Sequence, residues 1–253
     1  MLAKAATLAA DEVIVDLEDA VAEADKEAAR ATAVEGVRAR PGGTTALRVN
    51  ARGTPWWEDD LRAAAEARPD VVVLPKVESP EDVAAAAARL PAGTGLEAQI
   101  ETARGLVEAE RIAAAGHGLE ALVFGPADFA ASVGIPVLTI GAGAFDYALS
   151  RIAVAAAAFG LQAIDGPHAL LDDEAGLTAS ARRALAFGFD GKWVIHPVQI
   201  EPVNAAFTPS PEEVARAHAL LAAAAGAGRF EGEMVDAVSR RLAESLLARA
   251  GER

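Results

Sequence analysis

The chain predicts an α/β fold, a (β/α)8 barrel read one strand short, followed by a C-terminal helical extension. Three observations carry this. Short apolar strands alternate with amphipathic helices, which implies a parallel sheet with helices outside. The strands Val13–Val15 and Val71–Leu74 are apolar on both faces, as a covered sheet requires. Charged residues stand at successive strand ends, which suits a barrel mouth better than an open doubly wound sheet. The only glycine pattern for a phosphate, Gly141-Ala142-Gly143, lies outside a strand-to-helix turn and is weak.

In order, Val13–Val15 runs into Asp16-Leu17-Glu18-Asp19, and a helix follows from about Lys26 to Arg38. Thr45–Leu47 leads into Arg48-Val49-Asn50, then a helix near Trp57 to Ala67. Val71–Leu74 ends in Pro75-Lys76, and Ser79-Pro80-Glu81-Asp82 is a good helix start. Leu96–Ile100 alternates apolar and polar residues with period two. Apolar residues then recur at helical spacing from Thr102 to Ala115, and Gly116 and Gly118 supply the stop. Ala121–Phe124 is a further strand, ending in Gly125-Pro126-Ala127-Asp128. A helix from Ala144 to Phe159 stops at Gly160, and the strand Leu161–Ile164 ends in Asp165. A helix from Asp172 to Phe187 precedes a strand from Lys192 to Ile195, ending in His196-Pro197. Two last helices, Glu212 to Ala225 and Met234 to Ala250, are joined by a glycine-containing loop.

At 253 residues the chain fits one barrel, and no linker composition divides it. The barrel is placed at 1–210 and the extension at 211–253, packing on the barrel or on a neighbouring subunit. Lys and Arg total 23 against 37 Asp and Glu, a formal charge of -14, which disfavours nucleic acid as a partner. Cysteine is absent, which excludes disulfides, thiolate metal sites and cysteine nucleophiles and fits a cytoplasmic protein. No apolar run approaches a membrane span, and Asp11 and Glu12 interrupt the start too early for a signal peptide.

The chemistry centres on residues 96–128. Strand, helix and strand with tight links form a βαβ unit whose strands are parallel neighbours. Each delivers a carboxylate to the same sheet edge, Glu101 from the first and Asp128 just past the second. Two adjacent carboxylates repel unless a proton or cation lies between them. With oxygen ligands only, Mg2+ is the natural cation. The plainer alternative makes Glu101 a helix cap and Asp128 a turn residue.

The motifs V-I-V-D-L-E-D-A-V (13–21), L-R-V-N (47–50), L-P-K-V-E (74–78), I-E-T-A-R-G (100–105) and F-G-P-A-D-F (124–129) are collinear with further matches. These are A-I-D-G-P (163–167), G-K-W-V-I-H-P-V-Q-I (191–200) and F-T-P-S-P-E-E-V (207–214). Together they resemble the citrate lyase beta-subunit-like proteins of the HpcH/HpaI aldolase/citrate lyase family. The resemblance implies a TIM barrel, usually trimeric, that cleaves or forms a carbon–carbon bond beside a thioester with Mg2+. By position it implies Glu101 and Asp128 as metal ligands, Arg48 as the clamp on a substrate carboxylate, and Pro126 and Ala127 beside the substrate. It implies Asp236, in E-G-E-M-V-D-A, as an acid/base reaching a neighbouring subunit's site, although the proline usual after that aspartate is absent here. It also implies that the family's first strand, with its arginine, is missing, and that Met1–Ala5 is the middle of the first helix.

Residue by residue, alternatives stay open. Arg48 either grips a carboxylate bidentately or pairs with Asp16 or Glu18 on the adjacent strand. Asp16, Glu18 and Asp19 either order metal-bound water and orient Arg48 or form a solvated loop, which suits Asp19 best. Asp236 needs a raised pKa to work near neutrality, and is otherwise an exposed acid near a helix start. Lys76 pairs with Glu78 or with the acidic site, in a structural role. Trp56-Trp57 is a lid or core. The expected partners are a keto acid and a CoA thioester. Two rivals are a citrate lyase beta subunit working on an acyl-carrier-protein thioester, and a catalytically weak keto-acid-binding protein.

Overall fold

The computed structural model describes residues 5, 7–40, 43–136, 138–140, 143–223 and 228–251. The expected helix fragment at Met1–Ala5 and the Gly141-Ala142 pair fall almost wholly outside these residues. Contacts divide the chain into two compact units, Met1–Ile200 and Glu201–Arg253.

In the first unit the order is β1 (Glu12–Asp16), α1 (Lys26–Arg38), β2 (Thr44–Arg48), α2 (Trp57–Ala67), β3 (Val71–Leu74) and α3 (Pro80–Ala87). Then come β4 (Gly95–Ile100), α4 (Ala103–Val107), α5 (Ala109–Ala113), β5 (Leu119–Phe124), α6 (Pro126–Val133), α7 (Asp146–Phe159), β6 (Gln162–Asp165), α8 (Glu174–Ala186) and β7 (Gly191–Lys192). Among the described residues these strands form one parallel sheet in sequential order, β1 to β7. A doubly wound sheet would reverse its strand order part-way, and this one does not.

The sheet is curled. Trp193, just past β7, and Ile14 of β1 both pack on Ala46, Val71 and Val73 of β2 and β3. In a flat sheet β7 and β2 would lie about 24 Å apart, five strand spacings. Glu12 of β1 and Glu97 of β4 likewise repel each other across the interior. The core is mainly aliphatic, with Phe124 and Phe189 its largest fully buried side chains: β3 is wholly buried, and Leu47, Leu61, Leu96, Ile100, Leu122 and Ile152 are closed to solvent.

Helices α1 and α2 run as the sequence predicts. Helix α2 opens with Glu58, Asp59 and Asp60, acids that suit the positive end of the helix dipole. Helix α3 starts where predicted, with the Asp82 carboxylate accepting the N–H groups of Glu78 and Ser79.

Two expectations are corrected here, and the plainer alternative for Asp128 is set aside. The helix predicted over 102–115 is two short helices broken at Glu108, because the Arg151 guanidinium takes the carbonyls of Leu106 and Val107. The strand predicted over 192–195 ends at Lys192, since the Ile195 N–H bonds the Gln199 side chain instead of a neighbouring strand. Asp128 lies not in a turn but in the first turn of α6, an eight-residue helix opened by Pro126, whose fixed φ suits that position.

The second unit continues α9 (Ile200–Phe207) into α10 (Pro211–Ala223), β8 (Gly228–Phe230), β9 (Glu233–Val235) and α11 (Ala237–Arg249). The loop expected between its last helices contains an antiparallel hairpin that includes Met234, so α11 begins three residues later than predicted. Its small core pairs Ala217 with Ala243 and Leu247.

Candidate active site

The parallel register places Asp16 beside Arg48, at the ends of β1 and β2. Period two on β4 puts Glu97, Gln99 and Glu101 on one face, with the latter two at the C-terminal edge. Lys76 follows β3 and Asp128 follows β5, so five consecutive strands contribute to one mouth.

Arg48 donates from Nε to Asp16 Oδ1 (2.8 Å) and from Nη2 to Asp16 Oδ2 (2.6 Å). The bidentate face of the guanidinium is therefore spent inside the protein, as the structural alternative for Arg48 required. Its Nη1 lies 2.9 Å from Glu18 Oε2 without hydrogen-bond alignment, 3.5 Å from Gln99 Oε1 and 3.6 Å from the exposed Asp19. The ring of Trp193 sits 5.8 Å away as a cation–π partner. Burial alone would raise the Asp16 pKa, but the Arg48 bonds and the N–H groups of Glu18 and Ala20 outweigh it and hold the carboxyl below its usual range. Arg48 is driven upward in turn, Asp16 overcoming the desolvation that opposes its charge.

Glu18 is buried, and the loop carrying it is anchored from below. The buried ammonium of Lys26 donates to the carbonyls of Leu17 and Glu18 at 2.8 and 2.7 Å. Asn50 donates to the Leu17 carbonyl and is itself fixed by Asp60, which also pairs with Arg30. Trp56 covers Lys26 at 5.3 Å and Trp57 is core, which resolves the tryptophan pair in favour of packing. Burial raises the Glu18 pKa, opposed by Lys76 and Arg48.

Glu101 is 1 % exposed. Its Oε1 accepts the backbone N–H of Lys76 at 2.9 Å, and its Oε2 accepts Gln99 Nε2 at 2.5 Å. It therefore does not cap the helix after it; Thr102 does, accepting the Gly105 N–H. Burial pushes the Glu101 carboxyl up to about 8, with the charges of Glu18 and Asp128 adding and Lys76 opposing. Gly125 is required here, because a Cβ at that position would collide with the Glu101 carboxylate.

Asp128 is partly exposed, 3.5 Å from Lys76 Nζ. At the start of α6 the first main-chain bond runs from the Phe129 N–H to the Gly125 carbonyl. This leaves the Ala127 and Asp128 N–H groups without helical partners at the positive end of the dipole. Pro126 is buried and lines a small cavity with Phe124, Phe145, Leu149, Ser180 and Arg183, which none of Arg48, Lys76, Glu101 and Asp128 enters.

Asp236 belongs to the second unit. It is the N-cap of α11, accepting the N–H groups of Val238 and Ser239, and those bonds hold its carboxyl below the usual range. That is the opposite of the raised pKa a base near neutrality needs.

Two site members escaped the sequence reading. Gln99 bridges Glu101 and Arg48, and its signal was its place two residues before Glu101 on the same strand face. Trp193, beneath Arg48, had no local signal at all.

Among the described residues no three His, Cys, Asp or Glu side chains are arranged as a ready metal cage, and no helix is long and apolar enough to cross a membrane. Fold and mouth together define an α/β protein with an acid-rich ionic centre at the C-terminal edge of a curled parallel sheet. The chain belongs to the HpcH/HpaI aldolase/citrate lyase family, whose sequence profile matches residues 1–197. A (3S)-malyl-CoA thioesterase of Cereibacter sphaeroides is 40% identical, the alignment spanning 97% of this chain and 85% of that one. An L-malyl-CoA/beta-methylmalyl-CoA lyase of the same species is 36% identical over 98% of this chain and 89% of its own. Among solved structures, CitE of Mycobacterium tuberculosis in complex with magnesium, acetoacetate and coenzyme A superposes with a TM-score of 0.86. It is 42% identical, with 99% of this chain and 93% of that chain covered.

Proposed function

We propose that the protein is a Mg2+-dependent carbon–carbon lyase that cleaves, or forms, a β-hydroxyacyl thioester to give a keto acid and an acyl thioester. The observation that carries this is Glu101: a buried carboxylate facing Glu18 and Asp128, in a mouth with fewer cations than carboxylates. Its donor set is oxygen only, which suits a hard cation completed by water rather than a closed protein cage. Glu101 and Asp128 are the residues that would hold Mg2+. Bound there, the ion supplies a Lewis acid that stabilises negative charge on the keto-acid oxygen as the carbon–carbon bond breaks.

The chain's own groups do the rest. Asp16 holds Arg48 flat against the mouth, so Arg48 meets a substrate carboxylate with the Nη hydrogens left over rather than with its full fork. Gln99 fixes the Glu101 carboxylate from one side and the Lys76 N–H fixes it from the other. The Ala127 and Asp128 N–H groups offer a carboxylate two donors beside the positive helix end. Glu18 orients Lys76 and Arg48, and Pro126 opens the helix that carries Asp128. Asp236 as acid/base rests on the family resemblance and requires a neighbouring subunit, as in a homotrimer, to lift its pKa. The seven described strands are then part of a TIM barrel, the thioester carrier is CoA, and the setting is cytoplasmic.

A second reading concerns which bond breaks, because a malyl-CoA thioesterase stands among the relatives at 40% identity. Both are decided by one assay: malyl-, citramalyl- and citryl-CoA with Mg2+, following products by mass. A keto acid plus an acyl-CoA supports the lyase. A hydroxy acid plus free CoA replaces it with the thioesterase, and no turnover of any thioester overturns both.

A further inference from the structure

Lys76 occupies the centre of the acidic mouth in a way no surface ion pair requires. Its backbone is left-handed, with φ 52°, a conformation that L side chains adopt only at a cost. A glycine would adopt it freely, so what holds a lysine here is its contacts. The left-handed turn lets a single residue address three carboxylates. Its N–H bonds Glu101 Oε1 at 2.9 Å, its ammonium bonds Glu18 Oε1 at 2.5 Å, and the same nitrogen lies 3.5 Å from Asp128 Oδ2. The next residue, Val77, is tied to β4 through the Gln99 carbonyl, which fixes the turn. The side chain is one-third exposed on a flexible stem, so the ammonium can move, whereas its backbone N–H cannot.

We propose that Lys76 is a tethered cation that stands in the carboxylate cluster of the metal-free protein and gives up Asp128 when a divalent cation enters. This rests on the assignment of Glu101 and Asp128 as metal ligands. An ammonium 3.5 Å from Asp128 Oδ2 would repel a divalent ion held by the same carboxylate, the more strongly the less water reaches the mouth. Entry of the ion therefore drives Nζ from Asp128 onto Glu18, which already holds it at 2.5 Å. Lys76 thereby weakens metal binding while keeping the empty mouth from flying apart. Glu18 becomes its resting partner, a positioning role distinct from metal ligation.

The test is a titration with Mg2+ alone at fixed pH, by calorimetry, on the parent, Lys76→Met and Lys76→Gln, with Glu101→Gln as control. Melting temperatures are measured with and without Mg2+. Removing the charge is expected to tighten Mg2+ binding about tenfold, from the loss of a like charge close to the ion. It is also expected to lower the melting temperature without Mg2+, and to enlarge the rise on adding it. Lys76→Gln is one atom shorter but keeps an uncharged N–H donor able to turn towards Glu18, so it should fold even where Lys76→Met does not. Unchanged or weaker Mg2+ binding in a folded variant overturns the proposal while leaving the metal site standing. A parent that binds no Mg2+, or a Glu101→Gln protein that binds it equally well, overturns the metal assignment and this role with it.

Discussion

The interior of the curled sheet carries buried carboxylates at both ends, and the two groups behave differently. At the C-terminal mouth Asp16, Glu18, Glu101 and Asp128 surround Arg48 and Lys76. Toward the N-terminal ends of the strands, Glu12 and Glu97 repel each other, with Glu120 adding to both. Among the described residues no ion pair joins a basic side chain to Glu12, Glu97 or Glu120, whereas Arg48 and Lys76 stand among the acids of the mouth. Burial, then the charges of Glu12 and Glu120, pushes Glu97 up to about 8; burial, then Glu120 and Asp70, pushes Glu12 up to about 7. One Glu97 oxygen has no hydrogen-bond partner among the described residues. The lesson is that a raised carboxyl pKa does not by itself mark a site. What distinguishes the mouth is that cations have been placed among its acids, which keeps Asp16 ionised and leaves Glu101 poised between proton and metal.

The largest effect that would sharpen the contrast is at Arg48. Lysine cannot keep both bonds to Asp16, so Arg48→Lys should weaken keto-acid binding about ten- to a hundredfold. Equilibrium binding of oxaloacetate in Mg2+ measures it, and unchanged affinity would return Arg48 to a purely structural role.

A comparable effect, spread over two pH units, comes from the Glu101 proton. Its folded pKa is raised to about 8, so below that pH the proton must leave before a metal can bind. Mg2+ affinity should then rise about tenfold per pH unit between pH 6 and 8 and level off above. A flat profile would mean that Glu101 is already ionised or is not a ligand.

The smallest effect belongs to the lower group. A carboxyl raised in the folded state contributes stability below its unfolded pKa and loses it as pH rises through the folded value. Against the parent, Glu97→Gln should therefore gain melting temperature progressively between pH 4.5 and about 8, reaching a few degrees, with Mg2+ binding unaltered. Thermal melts across that range check it, and a loss of metal affinity in this variant would dissolve the distinction between the two ends.

Much of this arrangement was legible in the sequence. Helices α1 and α2 follow from apolar periodicity, and α3 and α7 are marked at one end by Pro80 or by Gly160. Glu101 and Asp128 follow from the βαβ unit alone, and both face the same ammonium. What could not be read lies between residues far apart in the chain. Lys76 meets Glu18 across 58 positions, a pairing set by register and by a left-handed turn that no local pattern announces. Arg151 breaks the helix predicted over 102–115 from 44 or 45 residues away, where periodicity has no reach. Helix α6 is short and alanine-rich, so it read as a turn. Asp236 shows the reverse limit: a motif can match in sequence while the residue, in its own unit, serves as a helix cap.

The central claim is a divalent ion held jointly by Glu101 and Asp128. It is met most directly by Mg2+ calorimetry in the presence of oxaloacetate on the parent, Glu101→Gln and Asp128→Asn, with melting curves to show that all three fold. The expected result is one Mg2+ per chain in the parent and no measurable binding in either variant, at near-parental melting temperatures. Parental Mg2+ affinity in either folded variant would contradict it.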